Sequence, residues 1–229
     1  MRITFTTPSI PKSGTYVTLI GDGQLMSVPA SSANLLLDSA LTRGLTAFGV
    51  KGKKGEVIDI PTGKGAGFER FIAISVGNPQ NFNVLDAQNL GGELYARLAG
   101  SGLKQATINC MAPSGASIED EVIAAEIAYG MKLASYRFTK YQTSNSDDPI
   151  TALSSVNIQT KNAKEARQRF AAKNKVAEGV HIARDLLEEP PNVLYPESFA
   201  DRCLQLRELG VEVQVLTDKN MAKLGMGAL

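Results

Sequence analysis

Two adjacent prolines set the strongest limit on what this chain can fold into. Pro190 and Pro191 have no amide hydrogen to give to a helix, and each disfavours helical geometry in the residue before it. A helix that reaches this point therefore has to stop just before it. Pro196 lies where the first turn of a new helix tolerates proline, and Glu197 suits the positive end of that turn. The stretch 181–200 is therefore predicted to be a hinge between two helices.

The residues before about 160 alternate between strand-like and helix-like patterns, which is typical of an α/β layer structure. Strands are predicted at 2–6, 16–20, 56–60, 68–76, 106–111 and 150–158. Helices are predicted at 31–45, 83–98 and 117–136. The last helix should begin with a capping box of Ser117 and Asp120. The third and fourth strands should form a hairpin around the loop 61–67.

The residues after about 160 are predicted to contain fewer elements. A long helix is expected over 162–187, then a helix over 196–209 closed by Gly210, an alternating half-buried strand at 211–216, and a short helix capped by Thr217 or Asp218. One helix, one strand and one short helix cannot enclose a core of their own. We therefore expect the residues from about 190 onward to open a second domain whose remainder lies outside this chain.

Composition excludes several classes of protein. Of the 229 residues, 43% are hydrophobic and 21% are charged, which is an ordinary balance for a globular chain. The formal net charge of +1 gives no strong field toward nucleic acid or membranes. No apolar stretch is long enough to span a bilayer, and the first ten residues lack the apolar core of a signal peptide. The prediction is a cytoplasmic protein with no membrane partner.

The hinge carries a resemblance to a known family. The residues at 183–187, 189–194, 196–197 and 199–200 read ARDLL, EPPNVL, PE and FA. They resemble the junction of the cytosolic two-metal leucyl aminopeptidases, the M17 family, in which ARDL, NEP and NxLxP precede a helix with Phe-Ala. Glu188 stands where that pattern usually has Asn. The chain is therefore similar to the part of this family in which the linker enters the catalytic domain.

A second landmark precedes the hinge at the right distance. Glu126 and Gly130 resemble the family's Glu-x-x-x-Gly helix, and the residues at 136–141 resemble its Tyr-Arg-Phe-x-x-Tyr segment. The resemblance implies a macro-like, mixed-sheet α/β domain over 1–160. It also implies a linker helix and hinge over 161–189, and an incomplete beginning of the catalytic domain over 190–229.

The same resemblance implies a function for the full-length protein. Members of the family release N-terminal amino acids from peptides with two divalent metals, commonly zinc, manganese or magnesium, and they form homohexamers. Their metal ligands and catalytic Lys and Arg come from a Val-Gly-Lys-Gly segment and an Asn-Thr-Asp-Ala-Glu-Gly-Arg segment, and neither occurs here. The segments 52–55 and 63–65 are only superficially similar, because they lack acidic partners. No catalytic, cofactor-binding or metal-binding residue is assigned to this chain, and an assembly or scaffolding role is expected.

The remaining reactive side chains have ordinary structural interpretations. His181 is the only histidine, too few for an HExxH-type ligand pair, so it should be a packing or surface residue. The acidic pairs at 147–148 and 188–189 should be solvated loop charges. Cys110 and Cys203 form no CxxC motif and are predicted to be free, buried thiols.

An alternative function is a binding module. The loop 61–67 lacks the terminal Gly-Lys-Ser/Thr of a P-loop and precedes a strand, which argues against nucleotide binding there. Lys51, Lys53, Lys54 and Lys64 cluster in sequence, so weak DNA binding remains open as an alternative. Solvated lysines on a flexible loop are the favoured interpretation. The macro-like fold also leaves an ADP-ribose-like ligand open, by analogy of fold alone.

Overall fold

The first compact unit of this computed structural model, Met1–His181, is built on a six-stranded mixed sheet. The structure describes residues 1–63, 65–100, 102, 104–143 and 153–227. The strands are β1 (Arg2–Thr6), β2 (Thr15–Ile20), β3 (Val57–Pro61), β4 (Arg70–Ser75), β5 (Gln105–Asn109) and β6 (Ser155–Gln159). Their spatial order is β1-β6-β5-β2-β4-β3. The β3–β4 pair is the predicted antiparallel hairpin and the other neighbouring strands are parallel, which confirms the mixed-sheet α/β class.

Helices cover both faces of this sheet. They are α1 (Val28–Leu36), α2 (Ala40–Ala47), α3 (Val84–Ala99), α4 (Asp120–Ala134) and α5 (Ala163–Glu188). Alternation along β2 feeds two cores, because Val17 and Leu19 pack with α3 and α4 whereas Tyr16 and Ile20 pack with α1 and α2. The start of α5 joins the first core through Phe170, whose ring lies 5.5 Å from that of Phe5. The result is a three-layer arrangement with a core on each side of the sheet.

The predicted helix at 31–45 is wrong as a single element. The chain forms α1 and α2 instead, separated by Asp38 and Ser39 at φ 49° and 60°. The Asn34 side chain holds this corner, donating to Thr42 Oγ1 at 2.8 Å and accepting from its backbone N–H at 3.1 Å. Apolar spacing runs on across the corner, so periodicity alone could not reveal a left-handed pair of residues.

The predicted capping box at the start of α4 is also absent. The helix begins after Glu119, which makes no side-chain cap. Ser117 Oγ instead donates to the carbonyl of Phe82 at 2.8 Å, and Asp120 Oδ1 accepts from the backbone N–H of Ala112 at 3.0 Å. Both side chains bind distant loops, so tertiary partners have replaced the local motif.

Helices α3 and α4 approach each other backbone to backbone. A Cβ atom on Gly91 would lie 2.2 Å from the carbonyl oxygen of Ile127. A Cβ atom on Gly130 would lie 1.9 Å from the carbonyl oxygen of Gln88. Only glycine fits at these two positions, so the helix-weakening glycine in the middle of α3 is a packing requirement.

The second compact unit, Ile182–Leu229, contains the hinge, helix α6 (Pro196–Leu204), a 3₁₀ turn (Gln205–Leu209) and helix α7 (Asp218–Lys223). Helix α5 ends one residue beyond the predicted stop at 187, and Gly210 ends the 3₁₀ turn at φ 82°. Thr217 precedes α7 as predicted, but its side chain makes no capping hydrogen bond.

The predicted strand at 211–216 is wrong for the structure. The segment belongs to no strand, and most of its residues are exposed. A strand needs a backbone partner, and no described residue pairs with this segment. The alternation of Val211, Val213 and Val215 with polar residues records only a preference for one apolar face.

Candidate functional site

The carboxyl edge of the parallel strands is the usual ligand site of an open α/β sheet. In this chain its own loops fill that edge beside β2 and β4. Asp22 donates its backbone N–H to the carbonyl of Gly77 at 2.8 Å. Gly52 lies so close to Gly21 that an added Cβ would be 2.2 Å from the Gly21 carbonyl oxygen. The loops that follow β2 and β4 and the loop that precedes β3 are therefore in close contact.

The lysine-bearing loop is held in place by an acidic side chain. Glu56 Oε2 accepts hydrogen bonds from three consecutive backbone N–H groups, those of Lys51 at 3.0 Å, Gly52 at 2.8 Å and Lys53 at 2.9 Å. Lys51 and Lys53 are exposed, as predicted. The fixed backbone beneath them was not predicted, because nothing in local spacing marks Glu56 as its anchor.

The other two lysines of this cluster do not add support to the interpretation as solvated lysines. Lys54 pairs with Asp86 in the first turn of α3, so its charge already has a partner. Lys64 lies outside the described residues. The cluster therefore presents fewer unpaired cations than its sequence indicates.

A buried ion pair docks helix α5 on α3 and α4. Glu126 on α4 is only 4% exposed, accepts from Gln88 Nε2 at 2.7 Å and lies 2.9 Å from Lys173 Nζ. The same ammonium lies 5.4 Å from the ring centroid of Tyr129. Lys173 lies on the face of α5 that carries Phe170 and the buried Ala177, and from there its ammonium reaches this carboxylate. A cation at helical spacing from Phe170 and Ala177 is the sequence signal that could have marked the pair.

The two acidic residues at the hinge, Glu188 and Glu189, lie in different environments. Glu188 is exposed, as predicted. The side chain of Glu189 is only 4% exposed and lies 3.8 Å from the guanidinium of Arg202 on α6. The solvated-charge prediction is therefore wrong for Glu189, since adjacent residues at a helix end point in different directions. The other acidic pair, at 147–148, lies outside the described residues.

The described residues do not fit a two-metal site. No group of three or more His, Cys, Asp or Glu side chains lies together in the part of the chain that the structure describes. The His181 ring packs against that of Tyr136, with ring centroids 5.4 Å apart, as a packing residue would. No metal-dependent step can be derived from these side chains.

The two cysteines are free thiols. Cys110 is fully buried, and this burial raises the pKa of its thiol, with the nearby Asp120 charge adding to the effect. A thiol held in its neutral form is a poor nucleophile. Cys203 is only partly buried, which corrects the prediction for that residue.

Titration of the buried Tyr16 should make the stability of the fold depend on pH, and this dependence can be measured. Burial raises its pKa to about 12 from 10.0, against a smaller lowering by the hydrogen bond to Asn109. Between these values the folded state binds a proton that the unfolded state has released, so the free energy of unfolding should fall as pH rises from about 10 to about 12. Thermal unfolding followed by circular dichroism over this range should show a shallower fall for Tyr16→Phe. If the wild type and Tyr16→Phe lost the same stability over this pH range, the assignment of the pH dependence to Tyr16 would be wrong.

Comparison with known proteins gives consistent matches. The model of the cytosol aminopeptidase family, N-terminal domain, matches residues 19–145, and the model of the same family's catalytic domain matches residues 181–229. A probable cytosol aminopeptidase of Rhodopseudomonas palustris is 35% identical over all of this chain and 45% of its own length. A protein of the same name from another strain of that species is 38% identical over 83% of this chain and 38% of its own length. The chain thus spans less than half the length of these curated relatives.

Solved structures agree in fold. A mutant of tomato leucine aminopeptidase matches 98% of this chain and 46% of its own with a TM-score of 0.80, at 17% identity. The bottromycin maturation enzyme BotP in complex with Mn matches 92% of this chain and 40% of its own with a TM-score of 0.67, at 18% identity. Among the described residues, no helix combines the length and apolar character needed to cross a bilayer.

Proposed function

Because this chain belongs to the cytosol aminopeptidase family, we propose that it is the N-terminal part of an enzyme that releases N-terminal amino acids from peptides. The observation that carries the proposal is the order of the two family models, with the N-terminal domain at 19–145 and the catalytic domain from 181. The activity would reside in the whole protein and would use two divalent metals, manganese, zinc or magnesium. The manganese in the BotP structure supports a metal of this kind.

The role of this chain within that enzyme is assembly. Its described residues bring no metal-ligand group together, and the carboxyl edge beside β2 and β4 is filled by the chain's own loops. An α/β domain whose loops bind one another suits a scaffold that flanks catalytic domains, here in a cytoplasmic homohexamer. While Glu56 occupies the backbone N–H groups of the lysine loop and Lys54 pairs with Asp86, the DNA-binding and ADP-ribose-binding alternatives gain no support from that loop.

Hydrolysis of leucine amide with added manganese tests this division of labour. The purified 229-residue chain should show no turnover above buffer, because the catalytic motifs of the family are absent from it. A whole relative, such as the R. palustris protein, should be active in the same assay and lose activity on chelation. Metal-dependent turnover by this chain alone would overturn the proposal. Inactivity of the whole relative would overturn the assigned activity.

A further inference from the structure

Three backbone N–H groups in the loop 51–53 converge on one point. Such an array of consecutive N–H groups, called a nest, is a geometry that binds anions in proteins. A single carboxylate oxygen, Glu56 Oε2, accepts from all three at 2.8–3.0 Å. This oxygen stands where an oxygen of a bound anion would be in an open nest.

The shape of this nest does not depend on Glu56 alone. Gly52 has φ 88°, a conformation that favours glycine, and an added Cβ would lie 2.9 Å from the Cα of Asp22. The hydroxyl of Ser75, the last residue of β4, donates to the carbonyl of Gly52. Contacts with the loops after β2 and β4 therefore hold the central residue of the array. Removing the carboxylate should leave three aligned donors rather than a collapsed loop.

Charge and position both favour a phosphate group at this nest. The array carries two exposed lysines, Lys51 and Lys53, and their positive charges favour an anion at its donors. The nest also lies at the carboxyl edge of parallel strands, where α/β sheets bind ligands. A carboxylate offers fewer oxygens to these cations than a phosphate does.

We propose that residues 51–53 form a phosphate-binding site and that the Glu56 carboxylate occupies it as a built-in competitor. An intramolecular ligand competes at a high effective concentration, so external phosphate is excluded while Glu56 is in place.

Titration of the chain with inorganic phosphate, followed by NMR of its backbone amides, tests the proposal. Glu56→Ala should bind phosphate at least tenfold more tightly than the wild type, with the largest shifts at the amides of 51–53. Glu69→Ala is the matched control, because it removes one exposed carboxylate from the same unit and should leave phosphate affinity unchanged. Phosphate shifts in Glu56→Ala that are no larger than those in the control would overturn the proposal.

A second variant covers a failure of Glu56→Ala to fold. Glu56→Gln keeps the size of the side chain and an accepting oxygen but loses the charge, so phosphate should displace it more readily than it displaces the carboxylate. Its phosphate affinity should lie between those of the wild type and Glu56→Ala. A Glu56→Gln variant that is folded and no better than the wild type would also overturn the proposal. Neither result depends on aminopeptidase activity.

Discussion

Replacing Gly91 with alanine is expected to destabilise the first unit severely, whereas the same change at Gly92 should be neutral or stabilising. The new Cβ at Gly91 would lie 2.2 Å from a backbone oxygen of α4, which cannot rotate away. Forcing the helices apart should cost about 3 kcal/mol or more. The Gly92 position has nothing within 4 Å, so alanine there should gain up to about 1 kcal/mol of helix propensity. Chemical unfolding followed by circular dichroism measures both changes.

Gly92→Ala is the control for Gly91→Ala, since the two glycines are adjacent in one helix and gain the same methyl group. Gly130→Ala should resemble Gly91→Ala, because its Cβ would lie 1.9 Å from the Gln88 carbonyl oxygen. If Gly91→Ala and Gly92→Ala unfold at the same denaturant concentration, the close approach of α3 and α4 is wrong.

Replacing Lys173 with methionine should produce the second largest loss of stability. The change leaves the Glu126 carboxylate, whose side chain is 5% exposed, without its cation. An uncompensated buried charge of this kind costs about 3–5 kcal/mol, and we expect about 2–3 kcal/mol because Lys173 itself is one-third exposed and partly screened by water. The free energy of unfolding of the variant, compared with that of the wild type, gives the value.

Two further variants separate loss of the ion pair from loss of a lysine. Lys175→Met removes a cation from the exposed pair with Glu178, at 78% and 43% side-chain exposure, and should change stability by less than about 0.5 kcal/mol. Adding Glu126→Gln to Lys173→Met should restore part of the lost stability, because no buried charge is then left alone. A double variant as unstable as Lys173→Met would contradict a role for the pair in docking α5.

The local elements of this fold could be predicted because their causes are local. Runs of β-branched and aromatic residues identified β1 and β2 to within one residue, and Pro190 and Pro191 placed the end of α5 to within one residue. The strand order could not be predicted, since parallel neighbours are joined by long crossovers that leave no mark on spacing. The corner at Asp38 also could not be predicted, because the Asn34 side chain holds it through hydrogen bonds that apolar periodicity does not reveal.

The side-chain interactions of the structure could not be predicted from the sequence. Family motifs identified what the sequence does not contain, but the interacting side chains that the structure does contain come from distant positions. Glu126 meets Lys173 across 47 residues, and the buried Glu189 side chain pairs with Arg202 on α6. The spacing of residues in the sequence does not encode such contacts. For Glu126 and Lys173 the sequence offered a signal, a cation at helical spacing from Phe170 and Ala177.

The pairing of β1 has a consequence for how the chain folds during synthesis. The first strand has a single neighbour in the sheet, β6, and Arg2 lies opposite Ser155. At about 5–20 residues per second, the ribosome needs roughly 8–30 s to deliver that neighbour. Until then β1 has no neighbouring strand, and its apolar side chains stay exposed in the nascent polypeptide, where a chaperone could bind them.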